Sequence, residues 1–292
     1  MDFYLTDVFG QQKYSGNQLA TFLHCGALSS WEMQKIAREI NFSETTFVLS
    51  EQPTDTGYHV RIFTPNEEIG FAGHPTLGTA FIIQQHLIGK PVERVLLNLN
   101  VGQVPVHFPL GAEDANLWMR QIEPTFGAVL DAVSLAQVLG LEPADLDTSW
   151  PIAQVSTGLP HIVVPLKNLA ALKRALLVRE HYLAFIERSW AKSILMFSPE
   201  AYTAEQAFAV RVFADYYGVP EDPATGSGNG CLAAYLVKQK YFGSASINLS
   251  VGQGYEMGRP SELALRAEEA AGGVIRVEVG GKVIPVAKGQ WL

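Results

Sequence analysis

Four polar residues stand where apolar stretches break: Glu44 in INFSETTFVL, His74 in FAGHPTLG, and Asp222 and Ser227 in EDPATGSGNG. These are the side-chain types that move or steer protons. Glu44 sits at the mouth of the strand-like TTFVL, flanked by Phe42 and Phe47. A carboxyl partly desolvated there rises toward the range of a general base, whereas a glutamate ending a helix and facing water does nothing special. His74 precedes Pro75 and reads either as a general acid or as a simple helix cap. Asp222 precedes Pro223, a pairing that also starts ordinary turns. No HExxH, GxSxG or pyridoxal-lysine context accompanies the four. Carbon-acid chemistry without a cofactor or metal is then the coherent enzymatic reading.

Two glycine-led segments must position these groups. In GHPTLGTAF, Pro75 suits a first helical turn, because its missing N–H would have no partner inside the helix. A residue before proline is pushed away from the α region, which makes His74 the expected N-cap. Backbone N–H groups around Gly73 and His74 then face an anion at the positive end of the helix. In EDPATGSGNG, Ser227 is the expected N-cap, and Gly226 lets the backbone approach a ligand closely. That segment lacks the lysine of a P-loop. It also departs from the dinucleotide fingerprint, whose third glycine or alanine would fall at Cys231. A plain structural turn and a site for a small anion, carboxylate rather than phosphate, both stay open.

Strand-like stretches recur along the chain: YLTDVF, TTFVL, HVRIF and RVLLNL early, then HIVVPL, SILMF, QAFAVRVF, INLSV and VIRVEV. Helical patterns lie between them, at Ser29 to Ile40 (with Trp31, Ile36 and Ile40 expected on one face), at 131–141 and at 179–190. The mixture predicts an α+β fold. Two internal echoes stand out. Arg61-Ile62-Phe63 leads to Gly73 as Arg211-Val212-Phe213 leads to Gly226, and GNQLATFL (16–23) matches GLPHIVVP (158–165) in the same order. We therefore expect a duplicated architecture with domains at 1–117 and 118–281, divided near the turn-like FPLGAEDAN (108–116). The strand-like end of the chain, 282–292, is free to complete the first domain. A pseudo-twofold between the halves would bring both helix starts to a cleft between domains, where ligand sites form preferentially.

Composition narrows the partners. The chain has 292 residues, 48% apolar and 17% charged, and a net charge of −8. That is ordinary for a globular protein, and no basic stripe invites nucleic acid. Cys25 and Cys231 are isolated, with no zinc spacing, which fits a reducing compartment. The first residues lack the basic and apolar regions of a secretory signal, and no apolar run approaches the ~18 residues of a membrane span. A cytoplasmic protein acting on a small molecule is expected.

With the motifs assembled, DVF…GNQLATF (7–22), NFSETTFV (41–48), RIFTPNEEIGFAGHPTLGTA (61–80) and EDPATGSGNG (221–230) resemble the PhzF-like phenazine-biosynthesis isomerase family. The four motifs span the chain in the family's order. The resemblance implies a diaminopimelate epimerase-like fold: two similar α+β domains, each a sheet wrapped around a central helix, with the active site in the cleft between them. It further implies Glu44 as the general acid/base, with His74, Asp222 and Ser227 as catalytic partners. Gly73, Thr225, Gly226 and Ser43 match the positions that hold the substrate. No cofactor and a homodimer are also implied. The epimerase cousins carry a cysteine at each helix start, where this chain has Ala72 and Thr225. Two-thiol racemisation is thereby disfavoured, and Cys231 reads as a buried small residue inside the following helix. A cofactor-independent proton shift on a small carboxylate-bearing, amino-acid-like or cyclic metabolite is the expected function. The alternative is a non-catalytic metabolite-binding protein that keeps the cleft.

Overall fold

The computed structural model describes residues 1–54, 56–109 and 115–292. The chain divides into two compact units: Met1–Arg120 with Gly280–Leu292, and Gln121–Val279. Most of the turn expected at 108–116 lies outside the described residues.

Unit one contains β1 (Asp2–Val8), β2 (Asn17–Phe22), α1 (Ser30–Ile40), β3 (Glu44–Val48), β4 (Tyr58–Phe63), β5 (Glu68–Ile69), α2 (Gly73–Ile83), β6 (Arg94–Leu99), β7 (Gly102–His107) and β8 (Leu117–Arg120). β1 pairs antiparallel with β2, β2 runs parallel to β3, β3 antiparallel to β4, β4 parallel to β6, and β6, β7 and β8 continue antiparallel. The far edge of β1 is covered by the chain's last strand, Val283–Gln290, in antiparallel register from Asp2↔Gln290 to Val8↔Val283. Every residue of α2 except Phe81 is buried. A helix with no polar face belongs inside a sheet rather than on it, and α2 packs against β1, β2, β3 and β6. α1 lies in an outer layer whose core includes Phe22, Phe47 and Phe63.

Unit two repeats this plan with β9 (Thr125–Val129), α3 (Ala132–Val138), β10 (Ala153–Ser156), β11 (Pro160–Pro165), α4 (Leu169–Arg174), α5 (Arg179–Ile186), β12 (Ser193–Ser198), β13 (Phe208–Ala214), β14 (Val219–Asp222), α6 (Gly226–Lys238), β15 (Ser246–Gln253), β16 (Ser261–Glu269) and β17 (Ile275–Gly281). The last strand, Val283–Gln290, is β18. β9, β10 and β11 are antiparallel, β11 is parallel to β12, β12 antiparallel to β13, β13 parallel to β15, and β15 antiparallel to β16. That is the same sequence of directions as β18, β1, β2, β3, β4, β6 and β7. All of α6 except Lys238 is buried, against β10, β11, β15 and β16. The expected α+β class with a sheet around a central helix holds in each unit. The loop between the RxF strand and the helix is three residues longer in unit two, and it contains a short 3-10 turn at Asp215–Tyr217.

One expected face is corrected. Trp31 is 65% exposed, with the Lys35 ammonium 3.8 Å from its ring centre. At 100° per residue it points away from the face made by Met33, Ile36, Ala37 and Ile40, of which Met33 and Ala37 are fully buried.

Candidate active site

Glu44 owes its place to how α1 ends. Ser29 caps the start of α1 in a reciprocal capping box with Glu32. Asn41 closes it in the left-handed region at φ 57°, its N–H donating to the Ala37 carbonyl. Ser43, half-buried, lies in the bend that follows, and Glu44 opens β3 opposite Leu19 of β2. The carboxylate is therefore at a strand mouth, 16% exposed, and not at a water-facing helix end. Its Oε2 lies 3.5 Å from His74 Nε2, so unit one brings these two expected residues together.

His74 is 4% exposed, and its Nε2 is 3.3 Å from the Gln18 carbonyl. A carbonyl only accepts, so Nε2 carries the proton and donates it to Gln18. Burial pushes the imidazole down to about 3, with the Gln18 hydrogen bond opposing. His74 is neutral at physiological pH, so the ring beside Glu44 Oε2 is an imidazole and not a cation.

The N-cap of α2 is Ala72, not His74. Gly73 and His74 are the first two helical residues, and Pro75 is the third. The conformational cost at a residue before proline is outweighed by the seat His74 takes beneath β2. Likewise the N-cap of α6 is Thr225, not Ser227, with Gly226 and Ser227 in the first turn. The expected equivalences Gly73 to Gly226 and His74 to Ser227 still hold, shifted by the same two positions. Neither N-cap side chain bonds to its helix. The first-turn amides of both helices thus lack the side-chain acceptor that usually satisfies them, an arrangement suited to an external carboxylate.

Asp222 ends β14, opposite Val212, and its Oδ2 accepts from the Thr225 hydroxyl at 2.5 Å. Ser227 is buried, and its carbonyl accepts from the Thr157 hydroxyl at 3.3 Å. Asp222, Thr225, Gly226 and Ser227 therefore share one loop and helix start in unit two, as Ser43, Glu44, Gly73 and His74 belong to unit one. Neither helix start carries a thiol. Cys231 is completely buried, and burial pushes it up to about 12, which keeps it protonated. The carboxylate is also peculiar to one half. By strand register Leu19↔Glu44 corresponds to His161↔Ser193, so Ser193 occupies in unit two the place Glu44 holds in unit one.

Sequence reasoning passed over several supports. Thr21, Thr46 and Thr79, all fully buried, link β2, β3 and α2: Thr79 donates to Thr46 at 2.8 Å and Thr46 to Thr21 at 3.0 Å. They pin the strand of Glu44 to the helix of His74. Arg61 clasps Glu68 through Nε at 2.8 Å, and Arg211 clasps Glu221 through two bonds of 2.8 and 2.9 Å. Each pair fixes the loop that runs into a helix start, and an arginine inside an apolar RxF strand was its signal. Gln253, also passed over, carried no such signal. Among the described residues no group of three His, Cys, Asp or Glu could hold a metal. No helix among them is long and apolar enough to cross a membrane.

The profile of the phenazine biosynthesis-like proteins matches residues 6–289. The chain belongs to that family. Within the family, it is 35% identical to trans-2,3-dihydro-3-hydroxyanthranilate isomerase of Pseudomonas aeruginosa over 97% of this chain and 96% of that one. The Bacillus anthracis phenazine biosynthesis protein of the PhzF family superposes with a TM-score of 0.90 at 28% identity, covering 100% of this chain and 99% of that chain. A probable proline racemase from Agrobacterium radiobacter shares the fold alone, with a TM-score of 0.64 at 11% identity over 100% of this chain and 92% of that one. The phenazine biosynthesis-like relatives named for an activity are isomerases, and the present chain is an enzyme of that class.

Proposed function

We propose that this isomerase moves a proton between carbons of a small carboxylate-bearing, amino-acid-like or cyclic metabolite without a cofactor, and that Glu44 is the acid/base. The observation that carries the reading is the half-buried Glu44 carboxylate beside the neutral imidazole of His74. A neutral imidazole preserves the basicity of the carboxylate, where an imidazolium would hold it as an ion pair and weaken it as a base. Glu44 takes a proton from a carbon alpha or vinylogous to an activating group; the electron pair shifts along the conjugated system, and the carboxyl, whose proton exchanges with solvent while it is held there, returns a proton to a different carbon. Atoms balance with nothing else consumed. The uncapped amides at Gly73 and Gly226 hold the substrate carboxylate or the developing negative charge. Ser43 and Thr225 line the binding groups, and Asp222 and Ser227 orient the substrate. Absence of a thiol at Ala72 and Thr225 speaks for one base rather than a two-thiol pair.

The name of the Pseudomonas relative supplies a test compound, trans-2,3-dihydro-3-hydroxyanthranilate. Incubated in D₂O with the wild-type protein, it should gain deuterium at carbon and shift its double bonds, followed by NMR. Glu44→Gln should slow this by at least about a hundredfold, since general acid–base groups contribute roughly 10²–10⁴-fold. A variant that exchanges the compound at the wild-type rate removes Glu44 from the role.

A further inference from the structure

The carboxamide of Gln253, the last residue of β15, is wholly buried and touches the second helix start at every polar atom it has. Its Oε1 accepts from the Thr225 N–H at 3.2 Å and from Asn229 Nδ2 at 2.8 Å. Its Nε2 donates to the Asp222 carbonyl at 2.7 Å and meets Thr225 Oγ1 at 3.0 Å. A backbone N–H only donates and a backbone carbonyl only accepts, so the amide orientation is fixed from both ends. The Thr225 hydroxyl must then accept from Gln253. Its one proton is left for Asp222 Oδ2, 2.5 Å away. The contact is also sterically tight: Gly254, at φ +78°, leaves no room for a side chain, since a Cβ there would lie 2.5 Å from the Pro223 carbonyl.

We propose that Gln253 is a positioning residue that orients the Thr225 hydroxyl, and through it holds Asp222 as a hydrogen-bond-accepting carboxylate at the start of α6. Asp222 then meets substrate as an acceptor at a fixed angle, and Oδ2 takes a hydrogen bond in the resting enzyme instead of giving one. Gln253 itself touches no reacting atom. Its influence passes along one amide, one hydroxyl and one carboxylate.

The kinetic part of this inference rests on Asp222 serving the proposed reaction; the network itself does not. Two measurements separate them. The first needs no substrate: hydrogen exchange of the Gln253 side-chain amide in ¹⁵N-labelled protein. We expect slow exchange in the wild type and in Thr225→Ser, and exchange about tenfold faster in Thr225→Val, which removes the acceptor. Fast exchange in the wild type overturns the network. The second is a double-mutant cycle with trans-2,3-dihydro-3-hydroxyanthranilate as the probe. Thr225→Val and Gln253→Glu should each lower kcat about 10- to 100-fold, the value of one hydrogen bond to a charged group. Thr225→Ser should recover to within about threefold. Once Asp222→Asn is in place, Thr225→Val should add almost nothing. Additive losses, or equal losses in Thr225→Ser and Thr225→Val, overturn the positioning role. A wild-type protein inert toward the probe overturns the substrate reading alone, and the amide exchange then decides the role of Gln253.

Discussion

Two histidines in this protein are buried without charge, and each is a liability in acid. Burial pushes His74 down to about 3 and His161 to about 4. In the unfolded chain both titrate near 6.5, so the unfolded state binds the extra protons. Their contribution to stability is complete above pH 6.5 and is lost as pH falls through that value toward 4 and 3. His161→Leu places in β11 the residue that β2 carries at the corresponding position, Leu19. Urea unfolding should show that this variant loses about 2 kcal/mol less than the wild type between pH 7 and pH 5. An unchanged difference would mean that His161 is protonated in the folded protein. At this scale the polar breaks in apolar runs were readable: Glu44, His74, Asp222 and Ser227 all mark such breaks. The cap positions were misjudged by two residues for a physical reason. Ala72 and Thr225 make no capping bond, so the usual side-chain signature of a helix start is missing where the helix keeps its amides available. Gln253 was invisible because it lies 28 residues beyond Thr225 on a strand, and only folding brings them together.

The central helices are held by fit more than by propensity. Gly78 lies in the middle of α2, where alanine would ordinarily stabilise a helix by about 1 kcal/mol. Here an added Cβ would come within 2.5 Å of a Leu19 methyl and 2.9 Å of a Val8 methyl, both residues being fully buried. Overpacking costs about 1–3 kcal/mol and outweighs the propensity. Gly78→Ala should therefore lower the denaturation midpoint, and a raised midpoint would show that β1 and β2 yield easily. The two arginine clasps differ by burial. Arg211 is 6% exposed against 22% for Arg61, and its Nη1 also donates to the Leu172 and Ala175 carbonyls at the end of α4. Arg211→Met leaves Glu221 and those carbonyls without their cation and should cost about 3–5 kcal/mol. Arg61→Met should cost about 1 kcal/mol or less. Equal losses in equilibrium unfolding would contradict the role given to burial. The strands and helices themselves were legible, because alternation and turn residues act locally. The face of α1 was not, since Trp31 sits five residues from Ile36 and that spacing does not close a helical turn.

The molecule as a whole is one plan used twice, with the proposed base carried by one half. Matching strand directions and matching helix starts show the duplication, and the echoes RIF/RVF and GNQL/GLPH were its trace in the sequence. Pairing of β1 with β18 has no such trace; KVIPVA could have joined either half. Its register with β1, and Trp291 packed edge-on against Phe3 and Phe22 at 6.0 and 5.4 Å, tie it to unit one. Removing residues 282–292 should leave β1 as a bare edge and make unit one protease-sensitive, while fragments from 121–279 persist in limited proteolysis. Equal resistance of the truncated and full proteins would contradict this. The same strand sets an order of birth. On the ribosome, unit two is finished while the half that carries Glu44 still awaits its last β-strand. The outer edge of β1 thus stays open until unit two has been made, an unpaired strand edge that other chains could meet during synthesis.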